Sequence, residues 1–292
     1  MRRTLYAASL LTMAATLASA QEPVLLRISG QPGQANHYQT QMETFIRGGP
    51  MAAMMSQDTN LPFSRMTMLS TRTMTGTSGD TLNFSEVIDS VAMETPAMPQ
   101  MSQMMGGVAA QMRGRTTTTK MDSRGRVFSF EMQGGIGGGM GGGGGMGGPG
   151  GGGPGGGGPG GRGGRGSMMG GGRGGPTPFI LPAQPVRPGD SWTDSTSTPG
   201  NGMDPAVSVR GTFKLERVEQ RAGTGSRIAV VSWTGVMTTA NPQGVQVMNV
   251  VGEIDVDLGN QRLASMNVTM QGSVQTPQGE VPMKMHMTQA VM

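Results

Sequence analysis

Gly252-Glu-Ile-Asp-Val-Asp-Leu-Gly259 sets three aliphatic side chains, Ile254, Val256 and Leu258, in alternation with three carboxylates, Glu253, Asp255 and Asp257. In an extended chain successive side chains point to opposite sides, so this stretch reads as a strand with one buried and one wetted face. The same period extends in both directions. Met266, Val268 and Met270 repeat it within 262–274, and Met283, Met285 and Met287 repeat it within 281–291. Segments 206–218, 227–239 and 245–258 are strand-like as well, each bounded by Gly, Asn, Pro or Gln-Gly turn signals.

The first part of the chain follows the pattern less regularly. Residues 38–46 place Tyr38, Met42 and Ile46 on one side, and 65–75 and 82–88 flank a Gly-Thr-Ser-Gly-Asp turn. Between 96 and 113 the period changes, because Met98, Met101, Met105, Val108 and Met112 recur at steps of three and four. That spacing predicts one short helix near 97–112. Gly106-Gly107 opposes it by about 1 kcal/mol per glycine relative to alanine. Residues 115–121, the turn Asp122-Ser-Arg-Gly125 and 127–132 then read as a hairpin with Phe128, Phe130 and Met132 on one face.

Two punctuation marks organise the chain. Met1-Arg2-Arg3, an apolar run from Leu5 to Leu17 and Ala18-Ser19-Ala20 read as a secretory signal, residues 1–20, cleaved near Ala20-Gln21. The expected location is therefore the periplasm or the extracellular space. Residues 134–175 contain thirty glycines and no acidic residue, and 134–178 is expected to be a disordered, flexible linker. It separates an N-terminal β-rich half, 21–133, from a C-terminal β-rich half, 179–292. Gly114 opens a polar strand ending at Asp122 and Gly252 opens one ending at Asp257, each followed by a restart. This echo points to two similar halves. The expected fold is mainly β: an antiparallel sandwich or open half-barrel with one short helix and the glycine-rich insertion.

Composition excludes several functions. The chain has 22 cationic and 18 acidic residues. Arg2 and Arg3 lie in the signal, and Arg162, Arg165 and Arg173 lie in the glycine tract, which leaves seventeen cations facing eighteen anions in the two β-rich parts. No basic face remains for nucleic acid. The Gly-Gly-Arg-Gly-Gly-Arg-Gly run lacks interleaved aromatics for base stacking. Beyond the signal no segment approaches the roughly 20 apolar residues a membrane-spanning helix needs. Cysteine is absent, so neither disulfides nor a lipidated cysteine are available.

Enzyme signatures are missing: there is no G-x-S-x-G, no H-E-x-x-H and no phosphate-binding lysine loop, and His37 and His286 are the two histidines. Both read as solvent-facing strand residues, and no residue is assigned a catalytic role. Glu253, Asp255 and Asp257 do not match a calcium loop and read as a solvated strand face.

Thirty methionines are the compositional excess. Standing in for scarce Phe, Leu and Ile on inward strand faces, they imply an adaptable apolar interior able to hold a small apolar molecule or lipid. Its wall candidates are Met266, Met270, Met283, Met285 and Met287, with Phe128 and Phe130 opposite. Met98-Pro-Gln-Met-Ser-Gln-Met-Met105 and Met51-Ala-Ala-Met-Met55 also resemble the methionine-rich motifs of periplasmic copper proteins, whose thioethers suit Cu(I). Met98, Met101 and Met105 are the residues of that alternative; otherwise no cofactor is expected.

Leu181-Pro-Ala-Gln-Pro-Val-Arg-Pro-Gly-Asp-Ser-Trp192, with the hairpins after it, resembles a family of uncharacterised exported bacterial proteins and lipoproteins. In that family two β-rich halves meet at a proline-rich stretch ending in Gly-Asp-Ser/Thr-Trp. The resemblance covers most of the second half and implies no activity and no catalytic residue. The glycine insertion and the missing lipid-anchor cysteine depart from it. From the residues alone, Pro185 and Pro188 fix a kinked extended path, and Gly189-Asp190 turns the chain so that Trp192 can cap a core.

Overall fold

The alternating segments become strands, and every neighbouring pair is antiparallel. A computed structural model describes residues 22–48, 60–133, 179–198, 206–221, 225–241, 244–276 and 279–292. The expected signal, the linker 134–178 and the Met51-Ala-Ala-Met-Met55 motif lie outside them. The first half supplies β1 (Ala35–Ile46), β2 (Ser64–Ser78), β3 (Thr81–Glu94), helix α1 (Ser102–Met112), β4 (Thr116–Asp122) and β5 (Val127–Gln133). The second half supplies β6 (Ser191–Thr198), β7 (Ala206–Gln220), β8 (Arg227–Asn241), β9 (Gly244–Asp257), β10 (Arg262–Thr276) and β11 (Gly279–Val291).

All eleven strands form one sheet in the order β5-β4-β3-β2-β1-β11-β10-β9-β8-β7-β6. The halves are joined where β1 pairs with β11, from Tyr38 opposite Val291 to Ile46 opposite Met283. The sheet rolls until its free edges, β5 and β6, approach each other. There the Arg124 guanidinium donates to Asp194 at 2.5 Å and that of Arg126 donates to it at 2.8 Å. The result is a nearly closed barrel, which selects the half-barrel of the two expected architectures. One cluster of buried side chains draws on both halves, from Leu82 and Met121 to Val231 and Met285.

One end of the barrel is strapped. Val24 bridges Val186, the Ile28 N–H donates to the Ser123 carbonyl at 2.7 Å, and the Ser29 N–H donates to the Gln261 carbonyl at 2.8 Å. Leu26, Phe179 and Leu181 are buried beneath these connections. The two turns the strap touches are the echoed ones. Asp122 Oδ1 accepts the N–H groups of Arg124 and Arg126, each at 2.9 Å, and Asp257 Oδ1 accepts those of Gly259 and Asn260 at 3.0 and 3.1 Å. In both hairpins the acidic residue satisfies turn amides that would otherwise lack partners. Gly125, at φ +88°, permits the first turn, where a Cβ would stand 3.1 Å from the Phe179 carbonyl oxygen.

The helix forms where the methionine spacing predicts, preceded by a 3-10 turn over Pro99–Met101. Met105 and Ala109 are buried while Gly106 and Gly107 face outward, and α1 packs on β3. Burial of that face offsets the glycine cost.

Three local features differ from the alternation rule. β6 was not among the expected strands, because Ser191-Trp-Thr-Asp-Ser-Thr-Ser-Thr198 carries one large apolar residue. β3 continues six residues past Ile88, since an irregularity between the pairs Leu69/Ser90 and Ser70/Ile88 shifts the inward set to Val91 and Met93. Phe128 falls in a bulge between Met121/Val127 and Lys120/Ser129 and is 55% exposed, so it does not share the face of Phe130.

Candidate functional site

A single row of directly opposed residues crosses nine strands on the inward face of the barrel. It runs Trp192, Phe213, Trp233, Gly252, Val268, Met287, Met42, Met66 and Met93, from β6 through β11 and β1 to β3. Side chains opposed in this way lie about 4.5–5.5 Å apart at Cβ, so each touches its neighbours. The row divides into an aromatic wall, a small-residue stretch and a methionine wall.

The aromatic wall is tightly fitted. Trp192, Phe213 and Trp233 stack with centroids 5.7 Å apart at both steps and interplanar angles of 14° and 13°. The Trp192 Nε1–H donates to the Ile180 carbonyl at 2.9 Å, which ties the wall to the strap. Trp233 lies against glycines. A Cβ on Gly211 would stand 2.2 Å from Trp233 Nε1, and one on Gly235 would stand 2.4 Å from the Arg210 carbonyl oxygen.

The methionine wall is wider than the row itself. Met266, Met270 and Met285 are buried in the main cluster, while Met42, Met237, Met283 and Met287 are half-buried against it. Met237, Met248, Gly272 and Met283 form a second row across β8 to β11. The expected wall residues of β10 and β11 therefore come together on one inward surface. Phe130 packs against the same cluster, and Phe128 does not join it.

The residues of the copper alternative are held in the helix packing. Met98 is buried, Met105 is 4% exposed and Met101 is half-buried. Thr95 shapes this start by donating its hydroxyl to the Met98 carbonyl at 2.8 Å and its N–H to Ser102 Oγ at 3.2 Å. His37 and His286 sit on the outward face with Thr71 and Asn267 as hydrogen-bond partners. Asp257 departs from the expected wetted face: it is 4% exposed because the turn amides and the Asn260 side chain enclose it.

A polar group that the alternation rule did not anticipate occupies the interior near the strap. Asn36, Arg72 and Glu86 are directly opposed on β1, β2 and β3. Arg72 Nε and Nη2 donate to Glu86 Oε2 at 2.9 and 2.7 Å, Ser70 Oγ donates to Glu86 Oε1 at 2.7 Å, and the guanidinium lies 5.0 Å from the Tyr38 ring centroid. Burial alone would raise the Glu86 carboxyl, but the Arg72 charge and the hydrogen bonds from Ser70 and Arg72 outweigh it and hold it below its ordinary range. Burial pushes the Tyr38 phenol up, against the opposing effect of Arg72 and Arg262. Asn36, Tyr38, Arg72 and Glu86 line a cavity of about 50 Å³ together with Arg262 and Phe179. A larger groove of about 590 Å³ lies on the outer face of β6, β7 and β8, lined by Ser195, Arg210 and Thr238 among others.

Among the described residues no group of three or more His, Cys, Asp or Glu side chains could hold a metal ion, and no helix is long and apolar enough to cross a membrane. Compared with known proteins, the chain matches no family model, and no curated protein or solved structure is significantly similar to it.

Proposed function

We propose that this chain is an exported, non-enzymatic binding protein of the periplasm or the extracellular space that holds an apolar, lipid-like ligand against its inward methionine wall. The observation that carries the reading is the half-burial of Met42, Met237, Met283 and Met287 beside a closed aromatic wall. Ligand sites typically occupy about 300–1,000 Å³, far more than the interior cavity near the strap. Room for a ligand must therefore come from movement of the methionines. An unbranched thioether with three rotatable bonds repacks more readily than a branched or aromatic side chain.

Native mass spectrometry of gently extracted protein tests this. A co-purifying apolar molecule supports it, and an empty protein in every preparation that also fails to bind decanol contradicts it. Cu(I) binding through Met98, Met101 and Met105 is the competing reading. Burial of Met98 and Met105 favours a packing role for them instead. Sub-micromolar Cu(I) binding that is lost when all three become leucine would reverse that preference.

A further inference from the structure

We infer that the interior cavity beneath the strap binds a carboxylate, either free or as the head of an amphiphile, through Tyr38 and Arg262. Donors without acceptors face this cavity. Tyr38 is 3% exposed and lines the cavity, and no hydrogen bond to its hydroxyl forms among the described residues. Arg262 lines the same cavity. Its Nη1 donates to Asn36 Oδ1, whereas its Nε is buried without a hydrogen-bond partner. A buried donor left unpaired, as Arg262 Nε is, loses its full desolvation free energy, and with Tyr38 lining the same cavity an acceptor placed there could serve both residues.

The acidic groups nearby are committed elsewhere. Glu86 accepts from Arg72 and Ser70, and Asp257 accepts from the amides of Gly259 and Asn260 and from the Asn260 side chain. Asp257 stands 4.0 Å from Arg262 Nε, beyond hydrogen-bond reach. Arg72 is paired with Glu86, and among the described residues Arg262 keeps only the loose 4.0 Å ion pair with Asp257, so the groups left open to a ligand at the cavity are donors. The two oxygens of a carboxylate can accept from both donors at once, which a single neutral acceptor cannot do. The volume, about 50 Å³, suits a head group rather than a whole amphiphile.

The position relative to the methionine wall is specific. Tyr38 and Met42 lie on the same inward face of β1, four residues apart, which is roughly 13 Å at about 3.3 Å per residue. A carboxylate at Tyr38 could thus extend an alkyl chain toward Met42. The carboxylate site does not depend on the apolar-ligand reading, and the test separates the two.

The full-length protein, its Tyr38→Phe variant and its Arg262→Gln variant are titrated with acetate, decanoate and decanol by calorimetry. Tyr38→Phe deletes one hydroxyl and keeps the ring, so folding is preserved. Decanoate affinity is expected to fall about tenfold or more in each variant, the effect of one hydrogen bond to a charged group. Acetate binding with the same sensitivity identifies a free small carboxylate as sufficient, and binding of decanoate alone identifies an amphiphile head. Decanol should bind all three proteins equally; its failure counts against the apolar ligand and leaves the carboxylate result standing. The inference is overturned if neither acid binds, which would mean that water alone fills the cavity, or if both variants bind the acids as the parent does.

Discussion

The aromatic wall and the methionine wall sit in one hydrogen-bonded row at opposite sides of the barrel, yet they are built on different principles. Trp192, Phe213 and Trp233 stack in register, and Gly211 and Gly235 leave no space beneath the last indole. Met287, Met42, Met66 and Met93 occupy the matching positions with unbranched side chains of three rotatable bonds. Equal backbone pairing thus supports a rigid third and an adaptable third of the same wall. The difference teaches that position within a barrel does not decide function. The conformational freedom of the side chain does, and it marks β11, β1 and β2 as the surface able to rearrange.

The largest test removes the rigid side. Trp233→Ala should cost about 3–5 kcal/mol in urea unfolding, as expected for a fully buried large side chain replaced by alanine. A loss under 1 kcal/mol would mean that the stack carries no load. Next is the ion pair between β2 and β3, on the strands of the methionine wall. Arg72→Met strands Glu86 and should cost about 2 kcal/mol, less than a fully buried pair because both groups keep some exposure. Its pH dependence has a definite sign. Glu86 is held below its unfolded value of about 4.3, so its contribution is complete above that value and disappears as pH falls through the folded one. The stability gap between the parent and Glu86→Gln should therefore narrow as pH falls below that unfolded value; a gap that stays constant there would contradict the assigned pairing.

Smaller effects sharpen the comparison. Asp194→Asn weakens the clasp that joins β5 to β6 and should cost about 1–2 kcal/mol, with amide hydrogen exchange accelerating first along those two edge strands. Protection unchanged there would show that the edges need no clasp. On the adaptable side, Met287→Leu should change stability by less than about 1 kcal/mol. A cost comparable to that of Trp233→Ala would make the methionine wall as rigid as the aromatic one.

Much of this architecture is legible in the residues, and its gaps have physical causes. Alternation in 252–259, 266–270 and 283–287 identifies β9, β10 and β11 together with the inward direction of their methionines. The spacing from Met98 to Met112 identifies α1. β6 escapes because Ser and Thr fill it, and its membership depends on Trp192 meeting Phe213 across the strands. Phe128 is misassigned because a one-residue bulge inverts every face beyond it. The Tyr38, Arg72, Glu86 and Arg262 group is invisible to an apolar-inward rule, since Arg72 and Glu86 point inward and satisfy each other across the β2–β3 hairpin while Arg262 arrives from β10, distant in sequence. A cue existed in Arg72 and Glu86 themselves: each shares the parity of the apolar residues on its own strand, Met66 and Met68 on β2 and Leu82 and Phe84 on β3.

The claim that the methionine wall is the ligand surface is tested most directly by the 13C-methyl resonances of the methionines during a decanol titration. Saturable shifts are expected for Met42, Met283 and Met287, with Met121, packed near the strap, left unmoved. Saturation without those shifts, or shifts confined to Met98, Met101 and Met105, would contradict it.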